Sequence, residues 1–303
     1  MLRHCLAEIA AMFHGRFLPS SRRWRERIRG AATGLAIAVT ATTAATASGP
    51  RIASINLCTD QLLITLADPD QIVGLSPYAR DKARSWMATE AARFPLLSGE
   101  AEDVLELKPD LVVAGRYTKR ATRELLKRQG FKVVELDAVR SIEDTRQQIK
   151  RIGDVVGHPE RAAAQIARID AAVARARAAV ARKPVRVLGV SRRGWVSGGD
   201  SLTSSLLQTI GITNAARDVS LRSSGGFASL EAIIAAKPDF LLVSESDDFA
   251  EDQGRAFLLH PALQELYPPD KRIVLPERLT VCGGPMLGDA LDRLTAEFER
   301  VTH

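Results

Sequence analysis

Cysteine and aromatic residues are scarce in this 303-residue chain, which holds three Cys and only 5% Phe, Trp and Tyr combined. Three cysteines are too few for a disulfide scaffold. Nucleotide motifs are missing too. The glycine-rich turns Ser197-Gly198-Gly199-Asp200 and Ser223-Ser224-Gly225-Gly226 match neither Gly-x-Gly-x-x-Gly nor a P-loop lysine. A mildly apolar run, Ala31 to Ala47, is short and rich in Thr, so no permanent membrane helix is expected there. Net charge is small once the front of the chain is set aside. Residues 1–47 hold seven arginines against two glutamates, leaving 35 basic and 34 acidic residues over 48–303. A net charge of +1 gives no broad field to attract a polyanion, so nucleic acid is not an expected partner.

What is present is a globular composition behind a basic leader that reads as an export signal. Hydrophobic residues make up 46% of the chain, too many for a disordered protein. The length suggests two packed units. Arg22 to Arg29 form a cationic segment, the small-residue run follows, and Ala45-Thr46-Ala47 supplies a small-x-small cleavage pattern. Residues 1–47 are therefore expected to be a signal peptide cleaved near Ala47. Cys58 is no lipoprotein cysteine, because Leu57 before it is not small and no apolar run ends there. The mature protein is expected in the periplasm, without stable membrane insertion and as a monomer.

Short strands and helices then alternate, which implies parallel sheets covered by helices. Strands are expected at Arg51–Ile55, Gln71–Leu75, Leu111–Gly115 and Phe131–Leu136. Helices are expected from Thr59 as cap to Leu66, from Glu102 to Leu107 and from Thr118 to Gln129. Ser141 and Asp144 stand in capping-box spacing before a helix that ends at Gly157. From Pro159 to Arg182 there is no glycine or internal proline, and Ile166, Ile169, Val173 and Val180 recur on one stripe. This long helix is expected to act as a stiff spine. The expected organisation is an N-terminal α/β lobe over 51–140, a helical connector over 141–183 with its spine at 159–182, and a C-terminal α/β lobe over 184–303. The two lobes share a signature. Glu102 to Val113 aligns without a gap on Glu231 to Leu242, and each copy contains Lys-Pro-Asp. The fold class is α/β, with a ligand cleft between lobes at the carboxyl ends of the strands.

Arg51-Ile52-Ala53-Ser54-Ile55 with its following helix, Ile72-Val73-Gly74, the paired Lys-Pro-Asp units and the long spine resemble the periplasmic binding proteins for ferric siderophores, haem and cobalamin. The resemblance spans essentially all of 51–301. It implies two lobes joined by one long helix, small hinge motions, and delivery of a ligand to an ABC importer. It also implies that Glu102 and Glu231 dock onto arginine pockets of the permease. Read locally, each is a first-turn carboxylate favoured by the helix dipole.

Residues following the strands are expected to line the cleft. Those chosen as ligand-binding are Tyr78, Arg80, Trp86, Arg116, Tyr117, Arg192, Arg193, Trp195 and Arg278. Arginine forks bind carboxylate or phosphate and stack on flat rings, and aromatic rings supply apolar walls. The expected ligand is a bulky, partly anionic metal chelate: a ferric siderophore first, cobalamin close behind. Haem ranks lower because no mature histidine lies near a cleft loop, leaving Tyr78 or Tyr117 as axial candidates. No cofactor or protein-held metal is expected. Cys58 and Cys282 follow strands in different lobes. Three readings stand open: a disulfide clamping the lobes, direct metal ligation, or two separate buried thiols. The competing functions are an exported doubly wound enzyme and a ligand sensor using the same cleft.

Overall fold

A computed structural model describes residues 49–181, 184–219, 222–244 and 256–302. The expected signal peptide at 1–47 and the last expected spine residue, Arg182, lie outside the described residues.

The first sheet grows from β1 (Ile52–Ser54). Helix α1 (Leu57–Leu66) follows, but its cap is Asn56 rather than Thr59: the Asn56 side chain accepts from the Cys58 N–H at 3.0 Å. Thr59 instead uses its hydroxyl on the Asn56 carbonyl, 2.8 Å away, and on Ser54. β2 (Ile72–Gly74), α2 (Ala101–Leu107) and the fully buried β3 (Leu111–Gly115) come next. Helix α3 (Arg120–Arg128) starts two residues later than its sequence suggests, because Thr118 ties off the turn after β3 by donating to the Ile55 carbonyl. β4 (Val133–Leu136) completes a parallel sheet of order β2-β1-β3-β4.

Two helices follow. In α4 (Ile142–Val156) the Ser141 hydroxyl caps the Asp144 N–H at 3.0 Å, and Gly157 ends the helix at φ 83°, where a side chain would be strained. The spine α5 (Pro159–Val180) has 22 residues, about 33 Å of rise. Its buried stripe is Ala162, Ile169, Ala172, Val173, Ala176 and Val180. The many alanines let it lie close against α4 and the C-terminal helix.

The second half contains β5 (Arg186–Gly189), β6 (Trp195–Ser197), α6 (Leu202–Thr209) and β7 (Thr213–Asn214). Then come β8 (Gly225–Phe227), α7 (Leu230–Ala236) and β9 (Phe240–Val243). The chain ends with α8 (Pro261–Leu266), β10 (Arg272–Val274) and α9 (Leu287–Thr302). The parallel sheet β7-β5-β9-β10 repeats the strand order of the first. A separate antiparallel ribbon pairs β6 with β8. Its glycines permit close backbone approach: a Cβ on Gly198 would lie 2.1 Å from the Ser223 carbonyl oxygen.

The duplicated signature is also duplicated geometry. Helices α2 and α7 both end on a left-handed lysine, Lys108 at φ 43° and Lys237 at φ 44°. An arginine at the start of each sheet latches that turn. Arg51 donates to the carbonyls of Leu107 and Lys108, and Arg186 to those of Ala236 and Lys237. The backbone N–H of each arginine bonds the aspartate of Lys-Pro-Asp, Asp110 at 2.8 Å and Asp239 at 2.7 Å. One apolar core runs through both halves, from Ile52 and Leu63 through Ile149 and Ile169 to Val187, Ile273 and Leu291. Among the described residues no helix is long and apolar enough to cross a membrane.

Candidate ligand-binding cleft

The carboxyl ends of β1, β3 and β4 face segments of the second half across a cavity of about 490 Å³. The first half contributes Asn56, Cys58, Arg116, Tyr117 and the run from Leu136 to Arg140. The second half contributes Ser197, the segment Asp200–Thr203, Ser223, Ser224 and the segment Thr280–Gly283. A second cavity of about 530 Å³ shares Ser197, Thr203, Thr280 and Val281 with the first, so the two form one groove. Arg192, Arg193, Trp195, Phe227 and Glu277 line this extension.

Cys58 and Cys282 are joined in a disulfide, with Cα atoms 5.3 Å apart, and both line the main cavity. The bond ties the first turn of α1 to the loop between β10 and α9, one element from each half. Of the three readings open from sequence, the structure contains the clamp. Beneath it lies Asp60, fully buried; its Oδ1 accepts from the Ser76 N–H at 3.0 Å, and its Oδ2 lies 2.5 Å from the Ser76 hydroxyl. Burial pushes the Asp60 carboxyl up to about 7, outweighing the hydrogen bonds from Ser54 and Ser76 that favour its charged form.

The walls combine aromatic faces with nearly balanced charge. Tyr117 is 84% exposed on the first half; Trp195 and Phe227 stand on the second with ring centroids 5.1 Å apart in an edge-to-face pair. The paired rings of Trp195 and Phe227 form a contiguous exposed apolar surface, the kind of patch that marks a candidate binding site. Among the described lining residues of the two cavities, Arg116, Arg140, Arg192 and Arg193 face Asp137, Asp200 and Glu277, a balance of +1. Arg116 and Asp137 form a loose pair at 3.9 Å. The hydroxyls of Ser197, Thr203, Ser223 and Ser224 bond no protein group among the described residues and remain available for a ligand.

Of the residues singled out from sequence, Arg116, Tyr117, Arg192, Arg193 and Trp195 line the groove, whereas Tyr78, Arg80, Trp86 and Arg278 line neither cavity. The long connection after β2 folds back on its own half. Tyr78 lies under the Arg84 guanidinium at 5.2 Å. Arg80 is consumed as a brace, donating to the carbonyls of Ala91, Ala92 and Phe94. Trp86 packs against the core, with the Arg168 guanidinium 5.8 Å from its ring. Arg278 is exposed on the turn after β10. Sequence reading missed Asp137, Arg140, Asp200 and Phe227. The first two follow β4, where the rule that located Arg116 after β3 applies equally.

Glu102 and Glu231 are both exposed in the first turns of the equivalent helices α2 and α7. Hydrogen bonds from its own backbone N–H and the Ser229 hydroxyl, with His260 nearby, hold the Glu231 carboxyl below its ordinary range. The two described histidines make local contacts. His158 bonds Asp68 and Glu160, and His260 accepts from the Ala262 N–H at the start of α8. Among the described residues no group of three or more His, Cys, Asp or Glu is placed to hold a metal ion.

Residues 52–268 match the periplasmic binding protein family. A cobalamin-binding protein of Halobacterium salinarum is 28% identical over 207 residues, covering 65% of this chain and 54% of that protein. The chain thus spans about half the length of the curated relatives it matches. The solved structure of a periplasmic heme-binding protein from Roseiflexus sp. RS-1 in apo form has a TM-score of 0.68 at 25% identity, covering 84% of this chain and 100% of that one. An ABC-type Fe3+-hydroxamate transport system structure from Saccharomonospora viridis has a TM-score of 0.64 at 22% identity, covering 83% and 94%. At that identity the last likeness is one of fold.

Proposed function

The chain belongs to the periplasmic binding protein family, and on that premise we propose that it captures a corrinoid in the inter-lobe groove and passes it to an ABC permease. Members of this family are exported and serve importers of haem, siderophores and cobalamin. The observation that carries the corrinoid reading is the groove itself: aromatic faces from both halves border a space in which the charges of the described lining residues nearly cancel. A flat macrocycle with a single phosphate and neutral amide side chains suits such walls. A ferric tris-catecholate, carrying three negative charges, would call for a strongly cationic groove. The unengaged hydroxyls are donors and acceptors for amides. The relative from Halobacterium salinarum is named for cobalamin, which supports the same choice. A ferric hydroxamate, which is compact and uncharged, is the second reading, and it draws on the same charge balance.

Within this reading the signal peptide is residues 1–47, the lobes are 51–140 and 184–303, and Glu102 and Glu231 are the permease contacts. The ligand leaves chemically unchanged. Titration of the mature protein with aquocobalamin, a ferric trishydroxamate, a ferric tris-catecholate and haem, followed by calorimetry and Trp195 fluorescence, tests it. Cobalamin is expected to bind most tightly and quench the fluorescence. Tightest binding of haem or the catecholate overturns the corrinoid reading.

A further inference from the structure

Beside the groove, a smaller cavity of about 420 Å³ is lined by Arg116, Arg120, Arg123, Glu135, Leu136 and Asp137. It shares Arg116, Leu136 and Asp137 with the main cavity, so the two adjoin. Three arginines converge here, and the carboxylates do not absorb them all. Glu135 is held by Lys127 and Arg123, first by Lys127, and its carboxyl is kept below the ordinary range. Asp137 reaches Arg116 only at 3.9 Å. Arg120 has no ion-pair or hydrogen-bond partner for its side chain among the described residues. Arg123 Nε is buried and bonds no acceptor. Glu135 Oε1, on the ion-pair partner of Arg123, is buried without a hydrogen bond as well, so this donor is not by itself a demand for a ligand; the cavity beside it, lined by three arginines, is what offers room for an acceptor from outside the chain.

We propose that the pocket of Arg116, Arg120 and Arg123 is a phosphate subsite of the groove, receiving the phosphate of the bound chelate while its macrocycle lies between the lobes. Guanidinium forks match phosphate oxygens in pairs, and three around one cavity fix its position as well as its charge. The subsite rests on the corrinoid reading for the source of the phosphate, but not for its chemistry. It also distinguishes corrinoids from one another, because only those with a nucleotide loop carry the group.

Two measurements on the full mature protein test it. In the first, inorganic phosphate is titrated into ¹⁵N-labelled protein while the arginine Nε–H signals are followed. The Arg123 signal is expected to shift, and Arg120→Ala, a change at an exposed side chain, to weaken the response about tenfold. No shift in the unaltered protein, or an undiminished one in R120A, overturns the subsite. In the second, cobalamin is compared with cobinamide, which lacks the nucleotide loop and its phosphate. R120A is expected to lose about tenfold in affinity for cobalamin and none for cobinamide. Equal losses for both refute a phosphate contact. If the unaltered protein binds neither corrinoid, the corrinoid reading falls, and the phosphate titration still decides the subsite.

Discussion

Breaking the bond between Cys58 and Cys282 should remove a large part of the protein's stability. The two cysteines are 224 positions apart, so the bond closes most of the described chain into one loop. In the chain-entropy treatment, a loop of that size restrains the unfolded chain by about 5 kcal/mol at 25 °C, against about 3 kcal/mol for a 15-residue loop. Whole-protein stabilities are only about 5–15 kcal/mol, so the loss is severe. For a domain of this size it corresponds to a melting point lower by about 10–20 °C. The assay is urea unfolding of the oxidised protein, the same protein with reductant, and Cys58→Ala/Cys282→Ala. Alanine is preferred to serine because Cys282 is 2% exposed and a hydroxyl there would be buried. Reduced and double-variant proteins are expected to unfold together, well below the oxidised form. If both lie within about 1 kcal/mol of it, loop closure is not what the bond contributes.

Three further outcomes follow from other elements. The Asp60 carboxyl, raised to about 7 by burial, binds a proton in the folded state that it has lost in the unfolded one between about pH 4 and pH 7. Stability from this group is therefore fully present below about pH 4, declines as pH rises through about 7, and differs by about 4 kcal/mol across the window. Asp60→Asn should flatten that slope in urea midpoints measured at pH 5 and pH 8; an unchanged slope places the titration elsewhere. Arg186→Ala removes donors to two carbonyls at the end of α7 and an ion pair with Asp218. It should cost about 1–3 kcal/mol in unfolding experiments. Glu102→Ala with Glu231→Ala, both exposed, should abolish uptake in cells while calorimetry finds ligand affinity unchanged; lost affinity with intact uptake would contradict the docking role.

The fold was readable because its signals are local. Gly157 and Ser141 bracket α4, Pro159 opens α5, and the Lys-Pro-Asp repeat announces that the chain is built twice. Half of the site was readable for a related reason: Arg116, Tyr117, Arg192 and Trp195 come soon after strands, where parallel sheets present their loops. Tyr78, Arg80 and Trp86 also come after a strand, yet their segment is long enough to bend back and spend its side chains on its own backbone and core. Nothing local in the chain distinguishes those two destinies. The β6–β8 ribbon that carries Trp195 and Phe227 was hidden as well, since strands of three residues, one of them opening on two glycines, have no periodicity to detect. The arginine latches were invisible for the opposite reason, each joining positions fifty or more residues apart.

The shared apolar interior has a mechanical consequence. Side chains from Ile52 to Leu291 form one cluster shared by both halves, beside a separate core in each, and the spine lies within the shared cluster. Halves united in that manner have little freedom to gape through thermal motion alone. If the groove holds a ligand as proposed, its release would then depend on something that prises the walls apart.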